Sequence, residues 1–129
     1  MLDLSDTDLH LIFEFEGDLI LEGFLNRIHA PLIIEEIKYK LPIDGRTALM
    51  RTEMQIPIGI SKGNAKATNN VMRGDIAYMP LGDSLCIYLD DLRTYSQVNV
   101  LGKITSSEDQ IALLKNVRRG STVHIKSRE

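Results

Sequence analysis

The chain has 129 residues, which suits one domain with a sizeable core and is short for two. Hydrophobic residues make up 43 % and the formal net charge is -3. That balance lacks the basic excess of nucleic-acid binders and of proteins that dock on anionic membranes, so neither partner is expected. The single cysteine, Cys86, excludes an internal disulfide. Its place in an apolar run reads as a small buried hydrophobe. The first ten residues carry three Asp and no Lys or Arg, unlike a secretory leader. No apolar run approaches the ~20 residues that span a bilayer. We expect a cytoplasmic single domain over residues 1–129, with the first roughly eight residues flexible.

His10 to Glu16 alternates, with Leu11, Phe13 and Phe15 on one face, as in a half-buried strand. Glu16-Gly17-Asp18 turns the chain into a second strand, Leu19 to Leu25, predicting a hairpin. Pro31 suits the first turn of a helix, where its missing N–H costs nothing. Ile33, Ile34, Ile37 and Leu41 follow as one apolar stripe. Glu36 and Lys40 stand in the favourable i, i+4 order. Pro42 ends this helix, and Asp44-Gly45 reads as a turn.

Thr47 to Ile60 reads as one or two strands, with Pro57 marking an edge or a bulge. Ser61-Lys62-Gly63-Asn64 is a turn cluster, and Ala65 to Met72 a polar connection. Residues 74–79 and 84–89 are central apolar strands joined through Pro80-Leu81-Gly82-Asp83. Asp90 to Tyr95 reads as a polar loop and Val98 to Ile104 as another strand. Ser107 with Gln110 three residues on forms a capping box. Ile111, Leu114 and Val117 give the helix it opens an inner stripe, and Gly120 follows its end. Val123 and Ile125 alternate with Thr122, His124 and Lys126 in a final strand. The sum is about eight strands and two well-separated helices, which favours an α+β fold or a closed barrel over alternating βαβ units.

Few residue patterns carry chemistry. His10, His29 and His124 have no ligand-spaced partners, so no metal site is expected. No cofactor is expected either. No Gly-x-Ser-x-Gly elbow marks a nucleophile. Gly59 to Gly63 lacks the ending of a phosphate loop. Arg118-Arg119 complements the dipole of the second helix and needs no nucleic acid to explain it.

Two motifs do point to a family. Gly74-Asp75-Ile76-Ala77-Tyr78 with Leu85-Cys86-Ile87-Tyr88, and Val98-Asn99-Val100-Leu101-Gly102-Lys103-Ile104, resemble a small group of prokaryotic cyclophilin-like domains of unknown function. Ala30 to Ile37 resembles the helix entry of cyclophilins, and Leu41 to Arg46 the helix exit of the smaller group. The likeness runs from Leu9 to Lys126. It implies a mainly β fold, a closed eight-stranded antiparallel barrel with two short helices capping its ends. One departure is visible: Met79 stands where the small group carries an aromatic residue.

The resemblance also raises prolyl isomerase activity. Cyclophilins supply an Arg from a Phe-His-Arg strand, with an aromatic floor, a Gln, and a Trp and His from a later loop. Here Arg51 is the nearest candidate, without the Phe and His before it, and the chain contains no Trp. Most of that site is not recognisable. The first reading is therefore a module that binds a peptide or a small ligand at a degenerate isomerase site. Its expected ligand-binding residues are Arg51, Met54, Tyr78, Met79 and Leu85, on the outer face of the barrel. A weak prolyl isomerase using Arg51 as its catalytic residue and a small-molecule enzyme on the same barrel are the alternatives. Oligomeric state is left open.

Overall fold

The structure is a computed structural model that describes residues 8–128. The flexibility expected at the N-terminus concerns residues 1–7, outside that range. Strand β1 (Asp8–Phe15) and strand β2 (Leu19–Asn26) form the expected hairpin, with Phe13 opposite Leu21. Both side chains are fully buried. Gly17 and Asp18 make its turn at φ 83 and 64, a left-handed conformation that Gly and Asp adopt more readily than other types. Helix α1 (Pro31–Lys40) starts on its proline and buries Ile33, Ile34 and Ile37. Lys38 and Lys40 lie in its last turn, favourable to the dipole.

Strand β3 (Ile43–Arg46) replaces the turn expected at Asp44-Gly45 and pairs antiparallel with the last strand, β10 (Thr122–Ser127). Gly45 is needed there for packing. A Cβ at this position would stand 2.7 Å from the Ile56 Cγ2 atom. Strands β4 (Ala48–Met50) and β5 (Glu53–Pro57) form a tight hairpin around Arg51 and Thr52.

Two segments expected as loops are also strands. Strand β6 (Thr68–Val71) lies in the polar connection, and strand β9 (Leu92–Ile104) begins inside the segment read as a polar loop. Between them run β7 (Asp75–Met79) and β8 (Ser84–Tyr88), joined by a 3-10 turn over Pro80–Gly82. Helix α2 (Glu108–Ala112) carries the expected capping box, with Ser107 Oγ accepting from the Gln110 amide at 3.2 Å.

The strands make one sheet in the order β3-β10-β1-β2-β9-β7-β8-β5-β4, with β6 added against β9. All the ladders are antiparallel. The expected closed eight-stranded barrel is corrected in two respects. The described residues hold ten strands, and no backbone ladder joins β3 to β4 at the two ends of the order. Those ends are nonetheless consecutive in the chain, separated by Thr47 alone. The Thr47 amide donates to Ser121 O at 2.9 Å, and its carbonyl accepts from the Gly120 amide at 2.8 Å.

The core explains why β7 and β8 are buried at every position. Ile76, Tyr78, Leu85 and Ile87 face the main core with Phe13, Leu25, Ile37 and Met54. Ala77, Met79, Cys86 and Tyr88 face a second cluster formed with Val71 of β6 and Val98 of β9. Thus β6 and the first half of β9 fold over the outer side of the central strands. Burying a large apolar side chain contributes about 1.5–3 kcal/mol, so this cover is a substantial part of the fold. Strand β9 passes so close to β2 that a Cβ on Gly102 would lie 1.8 Å from Phe24 O.

Candidate functional site

The outer side of β5 and β8 carries a group of polar side chains. Pleating sends Met54 and Ile56 inward and turns Glu53 and Gln55 outward, where both are half-buried. Register sets Glu53 opposite Tyr88 and Gln55 opposite Cys86. The Gln55 side-chain amide donates to the Glu53 carboxylate. The Tyr88 hydroxyl is buried, and its polar neighbours are the Glu53 carboxylate and the Cys86 thiol. Burial pushes its ionisation far above the ordinary phenol range, and the neighbouring Cys86 and Glu53 push the same way. Burial likewise raises the Cys86 thiol, with the Glu53 charge adding to it. Cys86 is thus a neutral packing residue and not a nucleophile.

The structure separates the residues picked out from the sequence. Met54, Tyr78 and Leu85 meet in the main core, with Tyr78 directly opposite Leu85. Met79 lies on the other face, in the second cluster. Arg51 sits exposed in the β4–β5 turn at φ 60, one position from β4 and two before Glu53. Glu53 and Gln55 are not among the residues expected to bind a ligand, and Tyr88 is expected there only as a central-strand residue that could line a groove. Their alternation with Met54, Ile56 and Ile87 is the signal that places them on the outer face.

Tyr78 has a second role at the end of the sheet. Its ring is in the core, but its hydroxyl donates to Asp83 Oδ1 at 2.6 Å and accepts from the Lys62 amide at 3.2 Å. Asp83 also accepts from the amides of Ile60 at 2.9 Å and Ser61 at 3.0 Å. Further along, Asn99 Oδ1 accepts from the amides of Ala65 at 2.8 Å and Lys66 at 3.0 Å. These three side chains tie down the long connection between β5 and β6. Burial works to raise the Asp83 carboxyl, but the hydrogen bonds from Tyr78, Ser61 and Ile60 outweigh it and hold the group below the usual carboxylate range. Burial, with the bond to Asp83, pushes the Tyr78 phenol up to about 12.

Among the described residues, no group of three His, Cys, Asp or Glu side chains converges as a metal site. His10 and His29 are exposed, and His124 Nδ1 lies 2.5 Å from Asp44 Oδ1 on the surface. No helix among these residues is long and apolar enough to cross a membrane.

The profile of the cyclophilin-like family matches residues 8–126, nearly the whole chain. The chain belongs to the cyclophilin-like family. Among solved structures, this cyclophilin-like chain is similar to the hypothetical protein AF2241 from Archaeoglobus fulgidus. Identity is 25 %, with 93 % of this chain and 95 % of that one covered, at a TM-score of 0.74. It is also similar to McbB, solved in complex with tryptophan, at 14 % identity and a TM-score of 0.75. That match covers 92 % of this chain and 44 % of McbB, and it shows a shared fold alone. No curated protein sequence matches the chain.

Proposed function

We propose that this cyclophilin-like chain is a binding module that takes a short peptide or a small molecule on the outer face of β5 and β8. One observation carries the reading. A half-buried carboxylate–amide pair, Glu53 and Gln55, stands on the outer face of β5, with the buried Tyr88 hydroxyl set against the Glu53 carboxylate. A carboxylate and an amide side by side offer acceptors and donors, as a peptide group or an amino acid requires. Arg51, at the tip of the same hairpin, would contribute a positive charge, and Met79 would support the outer face from within the second cluster. Met54, Tyr78 and Leu85 would support this face from the core side. McbB, which shares this fold over 44 % of its length, was solved with tryptophan, and that is a small-ligand precedent for a protein containing the fold. The acidic balance supports a ligand other than nucleic acid.

A weak prolyl isomerase activity using Arg51 is the second reading. It rests on the exposed guanidinium at the head of β5. Lack of Trp weighs against efficient catalysis at this site.

The test is an amide-resolved NMR titration with free tryptophan and with N-acetyl-Ala-Pro-Phe-amide. Shifts at Glu53, Gln55 and Tyr88 that vanish in Glu53→Ala are the expected result. No shifts there at millimolar ligand, for either compound, would overturn the assignment. Exchange spectroscopy on the Ala-Pro bond, with wild type and Arg51→Ala, reports isomerisation in the same samples.

A further inference from the structure

The register of β4, β5 and β8 builds two rows across the outer face. Met50 stands opposite Glu53, and Glu53 opposite Tyr88. Ala48 stands opposite Gln55, and Gln55 opposite Cys86. Opposed side chains share a face of the sheet, with Cβ atoms about 4.5–5.5 Å apart. Leu49 packs on the main core, so Ala48 and Met50 on either side of it point outward. Met50 is 51 % exposed, an apolar side chain left open directly beside a carboxylate. Glu53 is half-buried, yet it makes no ion pair among the described residues, with Arg51 or any other cation. A partly buried charge without a counter-charge is costly. An ionised carboxylate has about four acceptor sites, more than the Gln55 amide and the Tyr88 phenol fill. Gln55 directs an N–H to Glu53, and its own carbonyl oxygen adds an acceptor between the small side chains of Ala48 and Cys86. What this face lacks is a positive charge with several N–H donors, next to an apolar group.

We infer that the face takes the α-ammonium of an amino acid or of a peptide N-terminus whose first side chain is apolar. The inference rests on the β5–β8 reading and narrows its ligand class. An ammonium has three donors for Glu53 and Gln55, whereas an acylated nitrogen has one. The side chain leaves the same carbon as the ammonium, so it covers Met50 while the nitrogen stays on Glu53. The flexible thioether lets Met50 fit side chains of different shape. A lysine side chain carries its cation at the far end of a flexible stem, and ordering that stem costs more entropy.

The test is an amide NMR titration of the full chain with tryptophanamide, N-acetyl-tryptophanamide and Nα-acetyl-lysinamide. Tryptophanamide should shift Met50, Glu53 and Gln55 and bind roughly tenfold tighter than its acetylated form, the scale of one hydrogen bond to a charged group. Glu53→Gln should abolish that preference and leave the acetylated ligand unchanged, because Gln keeps the shape and can still accept from Gln55. Met50→Ala should weaken both ligands by the same factor. Two further arms assign the source. Tighter binding of free tryptophan than of tryptophanamide points to a free amino acid, with Arg51 facing its carboxylate, and tighter binding of Trp-Ala-amide points to a peptide N-terminus. Equal binding of tryptophanamide and its acetylated form, with shifts at these residues, would overturn the inference and leave the β5–β8 site standing. Tighter binding of Nα-acetyl-lysinamide than of tryptophanamide would do the same. No shifts there with any of these compounds would overturn the inference and the site together.

Discussion

Tyr78 and Asp83 are joined by a 2.6 Å hydrogen bond that links the main core to the connection between β5 and β6. The phenol ring is anchored by Leu85 and the rest of the core, so the carboxylate is held where the amides of Ile60 and Ser61 can reach it. A segment rich in turn residues is thereby ordered by side chains and not by a ladder.

Asp83→Asn should loosen this connection while leaving the sheet intact. Asn accepts the left-handed backbone found at Asp83, φ 48, but loses the charge that strengthens several hydrogen bonds at once. The expected loss is about 1–2 kcal/mol in urea unfolding. Faster amide exchange at Ile60 and Ser61, with unchanged exchange in β1 and β2, would localise the effect.

Acid should act on the same group. The folded-state ionisation of Asp83 lies below its unfolded value, so its contribution is present above the unfolded value and is lost as pH falls through the folded one. Glu16 is lowered too, chiefly by the hydrogen bond from Arg118, so it follows the same sign at the surface. Stability should therefore hold down to about pH 4, the ordinary carboxylate range, and decline below it. The decline should be shallower in Asp83→Asn. A urea midpoint measured across that range in both proteins checks the sign. An equal decline in the two would remove Asp83 from the account.

Gly102→Ala should be among the most damaging single changes. The added Cβ would meet Phe24 O at 1.8 Å and Leu25 Cα at 2.9 Å, both backbone atoms that cannot move without parting β9 from β2. A loss of about 3 kcal/mol or more, or failure to fold, is expected. Gly63→Ala is the control. Nothing lies within 4 Å of a Cβ there, and a change within about 0.5 kcal/mol is expected. Thermal or urea melts of the two variants make the comparison.

Much of the fold was legible from the chain because it obeys local rules. Leu11, Phe13 and Phe15 alternate in a strand with one face in the core, Pro31 opens a helix, and Ser107 with Gln110 caps another. What was missed had weak local signals and strong tertiary ones. Asp44-Gly45 has the chemistry of a turn, yet pairing with β10 makes it a strand, and the close approach of Ile56 leaves room for glycine alone. Strand β6 and the first half of β9 are mostly polar because one side faces solvent; Val71, Leu92 and Val98 are too widely spaced to announce a strand. At the candidate site, Arg51 was read as part of a strand, whereas it occupies the two-residue turn that aims β5. Glu53 and Tyr88 become neighbours only through the register of β5 with β8, which no spacing along the chain encodes.

Thr47 gives the sheet an unusual dependence on a single peptide segment. Its neighbours Arg46 and Ala48 belong to the two ends of the strand order, so the chain itself is the hinge pin where a hydrogen-bonded closure would otherwise be. Cleavage at this residue would leave every ladder formed but free the two end strands to move apart. Thr47 is buried, 3 % exposed, and bound to Ser121, so the link between the two ends is held beside β10 and is not a free loop.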